Sequence, residues 1–193
     1  MQGPIQPKTA WGRRLAALAD RLARERKGAV ALEFALIAIP FLMLVMGILE
    51  IAMLYLVSTT LENATSDAAR QIRTGTFQNG STVTAANFVT QICNELDWLG
   101  SASNCSSNLF VDVRTYASYT AIAEPDPISN KTISQSSLTF APGAAGSIVM
   151  VRAFYRWQLF TPGLDLMVAT LNGGSTLISA TAAFKTEPYG SSS

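Results

Sequence analysis

The 193-residue chain has no histidine, only two cysteines and few charges, with Asp, Glu, Lys and Arg together making up 14%, against about 25% in ordinary soluble domains. Each shortage excludes something. Without histidine the chain lacks the commonest general base at neutral pH and the commonest metal ligand. Two cysteines alone fall short of a zinc site, so neither a metal nor a cofactor is expected. Lysine is scarce too: beyond residue 28 only Lys131 and Lys185 remain, a thin basis for a Ser/Lys hydrolase, and an enzyme is disfavoured. What the chain has is hydrophobic residues, 49% of the total. That is too many for a disordered chain and, with so little charge, too many for a typical cytosolic protein throughout.

The charges are unevenly placed. Up to Gly28 there are seven basic residues against Asp20 and Glu25, a balance of +5, and beyond it seven basic against eleven acidic, a balance of −4. The basic end abuts Ala29 to Val57, 29 residues whose only charges are Glu33 and Glu50. As a helix rising ~1.5 Å per residue this stretch reaches roughly 43 Å, enough to cross a hydrocarbon core of ~30 Å with its ends protruding or tilted. No face of it is polar, unlike a core helix, and no A-x-A-like site follows a short apolar core, unlike a cleaved secretory signal. Basic residues stay on the cytoplasmic side. The organisation expected is a cytoplasmic leader (1–28), a transmembrane helix (29–57) and a periplasmic domain (75–193), single-pass in a bacterial inner membrane.

An acid at the bilayer centre costs a few kcal/mol even on lenient insertion scales. Glu33 lies five residues into the helix, within reach of headgroups or a partner charge. Glu50, 17 residues on, sits ~25 Å farther along, near the opposite interface. Both are tolerable there without a function. Between them Pro40 cannot donate to residue 36, which predicts a kink or loosened turn.

Leu61, Ala64, Ala68, Ala69 and Ile72 continue a helical stripe past the membrane, so one helix should run to about Thr74 and end at Gly75. The small residues 64, 68 and 69 suit packing on the protein's own sheet or on a neighbouring helix. Thr84 to Leu99 carries Phe88, Val89, Ile92, Leu96 and Leu99 at helical spacing, with Thr84 as N-cap. Cys93 and Cys105, the only cysteines, are expected to form a disulfide, as befits an oxidising compartment.

Three β-like runs follow: Leu109 to Tyr119, Ser147 to Phe160 and Ser175 to Thr186. The middle run alternates Val149, Val151, Ala153, Tyr155, Trp157 and Leu159 against Met150, Arg152, Phe154, Arg156, Gln158 and Phe160, so one face is core. Pro162-Gly163 and Gly173-Gly174 mark turns around a short apolar helix, Leu164 to Leu171. Ala121 to Gly146 reads as a long loop, with a short strand near Leu138 to Phe140. The fold class is therefore α+β: a long N-terminal transmembrane helix continuing into a two-layer domain with an antiparallel sheet of about three strands. Glu124-Pro-Asp-Pro127 reads as a solvated loop rather than a calcium site. Trp157 faces away from Arg152 and Arg156, which argues against a nucleic-acid surface.

Specific motifs now carry a resemblance. Arg24-Glu-Arg-Lys-Gly28-Ala-Val-Ala-Leu-Glu33-Phe34 resembles the leader junction of type IV pilin-like proteins, in which a prepilin peptidase cuts after a glycine and a glutamate follows at the fifth mature position. With Glu33-Phe-Ala-Leu36, Pro40, Gly47-Ile-Leu-Glu50 and Leu61-Glu-Asn-Ala-Thr-Ser-Asp-Ala-Ala-Arg70, the segment from Lys27 to about Arg73 is similar to the TadE-like family, minor pilins of the tight adherence (Tad) apparatus. Val151 to Phe160, Thr161-Pro162-Gly163 and Phe184 to Tyr189 resemble its less specific C-terminal pattern. One departure is the 28-residue leader, whose Leu15, Leu18 and Leu22 suggest an amphipathic helix on the inner membrane face.

The resemblance implies cleavage between Gly28 and Ala29, a register role for Glu33 and Phe34, and helix packing through Pro40, Gly47 and Glu50. Cleavage would free an α-amino group on Ala29, and in a helical fibre the Glu33 carboxylate could pair with the Ala29 amine of the next subunit, setting axial register at low dielectric. The implied role is a non-enzymatic minor pseudopilin assisting assembly or priming of a Tad pilus. Its partners would be the prepilin peptidase, other pilins and minor pseudopilins, the inner-membrane assembly platform and membrane lipid, with no nucleic acid. The competing reading is an uncleaved single-pass scaffold or binding module that never enters a fibre.

Overall fold

The structure is a computed structural model describing residues 29–80, 82–99 and 102–189. They fall into two units, one up to Met46 and one from Gly47 onwards, and each is described by itself. Helix α1 (Ala29–Arg73) is assigned continuously through Pro40. In the first unit its large apolar side chains face outwards: Val30 is 72% exposed, Phe34 73%, and Leu36, Ile37, Phe41 and Leu44 are also exposed.

In the second unit the same helix changes character. Val57, Leu61, Ala64, Thr65, Ala68, Ala69 and Ile72 are buried, spaced three and four residues apart as a single helical face requires. The alanines, which left two packing options open, are thus used on the protein's own core. The helix ends where expected. Gly75 has φ +79, a left-handed conformation in which glycine carries no steric penalty. A Cβ there would lie 2.3 Å from the Tyr189 ring, so the glycine also makes room for the C-terminal tail. That tail is tied to the helix by Glu187 N donating to the Arg73 carbonyl at 2.8 Å and by an Arg73–Glu187 ion pair at 3.1 Å.

Helix α2 (Ala85–Glu95) starts at Thr84, whose hydroxyl accepts from Asn87 N at 3.3 Å, so the N-cap expectation holds. It is shorter than the apolar spacing suggested: Asp97–Leu99 forms a separate 3₁₀ turn. Helix α3 (Ala102–Asn108) leads into β1 (Leu109–Tyr116). Cys93 and Cys105 are joined by a disulfide with Cα atoms 5.7 Å apart. It fastens α2 to α3, and both sulfur-bearing residues are buried in the core. Replacing both cysteines by serine should cost about 3 kcal/mol in the chain-entropy account, measurable as a lower denaturation midpoint under non-reducing conditions.

Strands β4 (Ile148–Gln158) and β5 (Ser175–Lys185) complete an antiparallel sheet of order β1-β4-β5. Register places Val111 opposite Ala153, Val113 opposite Val151, and Ala153 opposite Ala180. These residues, with Val149 and Tyr155, form one sheet face and belong to the same core cluster as the α1 stripe, Phe77 and the α2 residues Phe88, Ile92 and Leu96. The α+β layering read from the sequence is therefore the observed one. Between β1 and β4 lies a two-strand hairpin, β2 (Ile128–Ser129) and β3 (Thr132–Ile133), where only a loop was expected. Its turn residues Asn130 and Lys131 both have positive φ, as the tightest hairpin turns demand. The short strand expected near Phe140 reduces to a single parallel bridge with Val113. The short helix between β4 and β5, α4, covers only Asp165–Val168.

The face of β4 opposite the core is also largely closed to solvent: Met150, Arg152 and Phe154 are all buried. The 117–141 segment covers it, because β1 and β4 supply charges that hold that segment's carbonyl and amide groups.

Candidate functional site

Two features organise the chemistry of the chain, one where α1 meets the end of β4 and one on the outer sheet face. The first is Glu50. Glutamate in a run of Gly47-Ile-Leu-Glu-Ile51 reads as an unwelcome charge, yet its side chain is fully buried. Its two carboxylate oxygens accept backbone N–H groups from successive residues: Oε1 from Phe160 at 2.8 Å and Oε2 from Thr161 at 2.9 Å. Those amides follow the end of β4, where the sheet ladder no longer uses them, and a carboxylate satisfies both at once. Hydrogen bonds to an ionised acceptor are about twice as strong as neutral ones.

The sequence reads Glu50 as an interfacial acid tolerable without a function, and the resemblance makes it a helix-packing residue; in the structure its carboxylate is taken up inside its own domain by Phe160 N and Thr161 N. Nothing in the sequence announces backbone donors. The only available signal was that Thr161-Pro162-Gly163 terminates a strand and so frees main-chain amides.

The other positions singled out in the sequence are not brought together with it. Gly28 and the rest of the leader lie outside the described residues. Ala29 is the first residue of α1. Glu33 and Phe34 are exposed on the helix surface, and among the described residues Glu33 has no ion-pair partner. Pro40 is exposed, Gly47 is half-buried, and a Cβ built on Gly47 would meet nothing within 4 Å. Glycine at 47 is thus not required by this chain's own packing.

The second feature was not legible from motifs. Asp112 on β1 faces Arg152 on β4 in register. Arg152 Nη2 donates to Asp112 Oδ2 at 2.6 Å, and Arg114 Nε donates to both carboxylate oxygens at 2.9 Å. Thr139 N makes a third donor residue, at 2.7 Å. Arg152 Nη1 reaches the Pro125 carbonyl at 2.9 Å, and Arg114 Nη2 the Ser137 carbonyl. Burial pushes the Asp112 carboxyl upwards, but the hydrogen bonds from Arg152, Arg114 and Thr139 outweigh it and hold the group below its ordinary value. The cluster clasps the 117–141 segment to the sheet.

Neither feature has the anatomy of a catalytic centre. A cleft of about 650 Å³ is lined by Met53, Tyr155, Arg156, Trp157 and Gln158, but its Arg156 is engaged by Asn108 and its Gln158 by Gly173. Both domain lysines, Lys131 and Lys185, are exposed, unlike the desolvated lysine that nucleophile activation needs. Among the described residues no group of three or more Cys, Asp or Glu side chains could hold a metal ion.

Residues 28–70 match the family model described as "TadE-like protein", in agreement with the resemblance seen in the leader junction and helix. That family suggests a protein associated with a Tad pilus. No curated protein and no solved structure matches the chain.

Proposed function

We propose that this chain is a membrane-anchored minor pseudopilin that assists assembly or priming of a Tad pilus by lateral packing of its N-terminal helix, with a structural rather than a catalytic role. The observation that carries the reading is the change of character along one helix. Apart from Glu33 its outer part is apolar on every side, and the described residues leave it bare, while from Val57 onward it is committed to its own core. A bare apolar helix must be covered by lipid or by other helices. The match over residues 28–70 supports sister pilins as the covering helices.

Glu33 supports the same reading. It sits four residues after Ala29 on the bare part of the helix, where pairing with a neighbour's freed α-amino group would set the axial stagger. Gly47 offers an unfilled notch in that surface into which a neighbouring helix can pack closely.

Mass spectrometry of the N-terminus in cells carrying the full Tad machinery tests the proposal. A mature chain beginning at Ala29 is the expected result. A chain retaining Met1 in every fraction would instead assign the protein to the uncleaved scaffold class. In native membranes, a photo-crosslinker at Phe34 or Ile37 should capture a pilin-sized neighbour.

A further inference from the structure

We propose that the tip of the β4–β5 connection, Phe160 to Val168, is a second membrane contact that inserts Leu166 and Met167 into the bilayer leaflet facing the domain, beside the point where α1 emerges. The inference rests on the membrane-anchored reading above and extends it to a segment distant in sequence.

Direction comes first. At the far end of α1, Arg73 bonds Glu187, and the neighbouring Thr186 N donates to the Ser147 carbonyl at 2.8 Å, just before β4 begins. At the near end, Glu50 holds Phe160 and Thr161, just after β4 ends. Strand β4 therefore runs antiparallel to the helix, and the β4–β5 connection emerges at the Glu50 end.

Depth follows from counting. Twenty helical residues cross a hydrocarbon core of ~30 Å. Counted from Val30 the crossing ends at Leu49, so Glu50 lies at the boundary and ties the connection to that level.

Chemistry completes the case. Leu166 is 88% and Met167 86% exposed, and Phe160 is also exposed. On α1, Ile51, Met53 and Tyr55 are exposed as well, and Met53 and Phe160 line one cleft. From Leu159 to Gly174 the only charge is Asp165, and it lies over Gly174, with its Cβ 3.5 Å from where a Cβ on that glycine would stand. The tip bonds part of its own backbone: Leu164 N donates to Thr161 O at 3.2 Å, Met167 N and Val168 N both donate to Leu164 O at 3.0 Å, and Ala169 N donates to Asp165 O at 3.1 Å. Each amide bonded within the chain lowers the cost of bringing the tip to the boundary of a low-dielectric layer. The absence of lysine and arginine from the tip makes the contact apolar, independent of anionic headgroups.

The test uses the full-length protein with its disulfide intact, reconstituted at low protein-to-lipid ratio in phosphatidylcholine vesicles and labelled with an environment-sensitive fluorophore at one introduced cysteine. Met167→Cys and Leu166→Cys report the tip, Leu44→Cys the spanning helix, and Lys185→Cys the far end of the domain. With brominated phosphatidylcholine, the probes at 166, 167 and 44 should be quenched roughly twofold or more, as expected for side chains within the ~5–10 Å of the headgroup and acyl boundary or below it. The probe at 185 should be unchanged. Quenching at 44 but not at 166 or 167 overturns the inference and leaves the anchored reading standing. No quenching at any site overturns both. A blue-shifted but unquenched tip probe means protein contact rather than lipid, and overturns the inference as well.

Discussion

Asp112→Ala should be among the most damaging single substitutions in the domain, costing about 3–5 kcal/mol, because it leaves Arg152 buried without its counter-charge. The side chains of both partners are almost wholly inside, 0% and 4% exposed, so water cannot take the carboxylate's place. In thermal unfolding that loss corresponds to a fall in Tm of about 10–20 °C for a domain of this size. The double substitution Asp112→Ala with Arg152→Met should recover much of it, since an apolar pair of similar volume often does as well as a buried ion pair. The carboxyl of Asp112 is held below its ordinary value in the folded state, so its contribution is present in full above the unfolded value near ~4 and is lost as pH falls through the lower, folded value. Stability measured from pH 6 down to pH 2 should therefore drop more steeply for the native chain than for Asp112→Asn, which has no proton to take up there.

Glu50→Ala is expected to have the second large effect. Two backbone donors, Phe160 N and Thr161 N, lose their acceptor at a buried position, and each unsatisfied buried donor costs ~1–3 kcal/mol, about 4 kcal/mol for the pair. Glu50→Gln keeps one acceptor oxygen but turns an amide NH₂ towards the other N–H, so it should recover only part of the loss. Hydrogen exchange on detergent-solubilised protein checks this directly. The amides of residues 159–164 should lose protection in Glu50→Ala, while those of β1 and the centre of β4 should keep theirs. If the whole domain loosened to the same extent, the carboxylate would be a general core residue rather than a local tie.

These two sites also mark where the sequence stops being readable. The stop of α1 at Gly75, the Thr84 cap, the strand runs and the Cys93–Cys105 bond each rest on local rules: a left-handed glycine, a hydroxyl three residues before an amide, alternation with period two, and two cysteines in an oxidising setting. Such features survive without tertiary knowledge. Asp112, Arg114 and Arg152 look like ordinary solvent-facing charges for the same reason, since alternation assigns them to the polar face. Only strand register, with Asp112 opposite Arg152, turns three surface charges into one buried cluster, and only the fold of residues 117–141 over it removes the water.

Glu50 hides differently. Its partners are main-chain atoms 110 and 111 positions away, and a backbone amide has no letter in the sequence. The hairpin at Asn130 and Lys131 was missed because lysine is a rare occupant of positive φ, so the usual Asn-Gly signature is absent.

The attachment of the domain to α1 at both ends of β4 has a mechanical consequence. With Glu50 gripping the strand's exit, and the Arg73–Glu187 pair holding the tail whose Thr186 N bonds Ser147 O at the strand's entry, a pull along the helix axis loads the two grips together, in shear, and not one after the other as in peeling. From Gly47 onward helix and sheet therefore resist sliding past one another as one interface, and a tug on that part of the helix is shared across it before any single bond has to break.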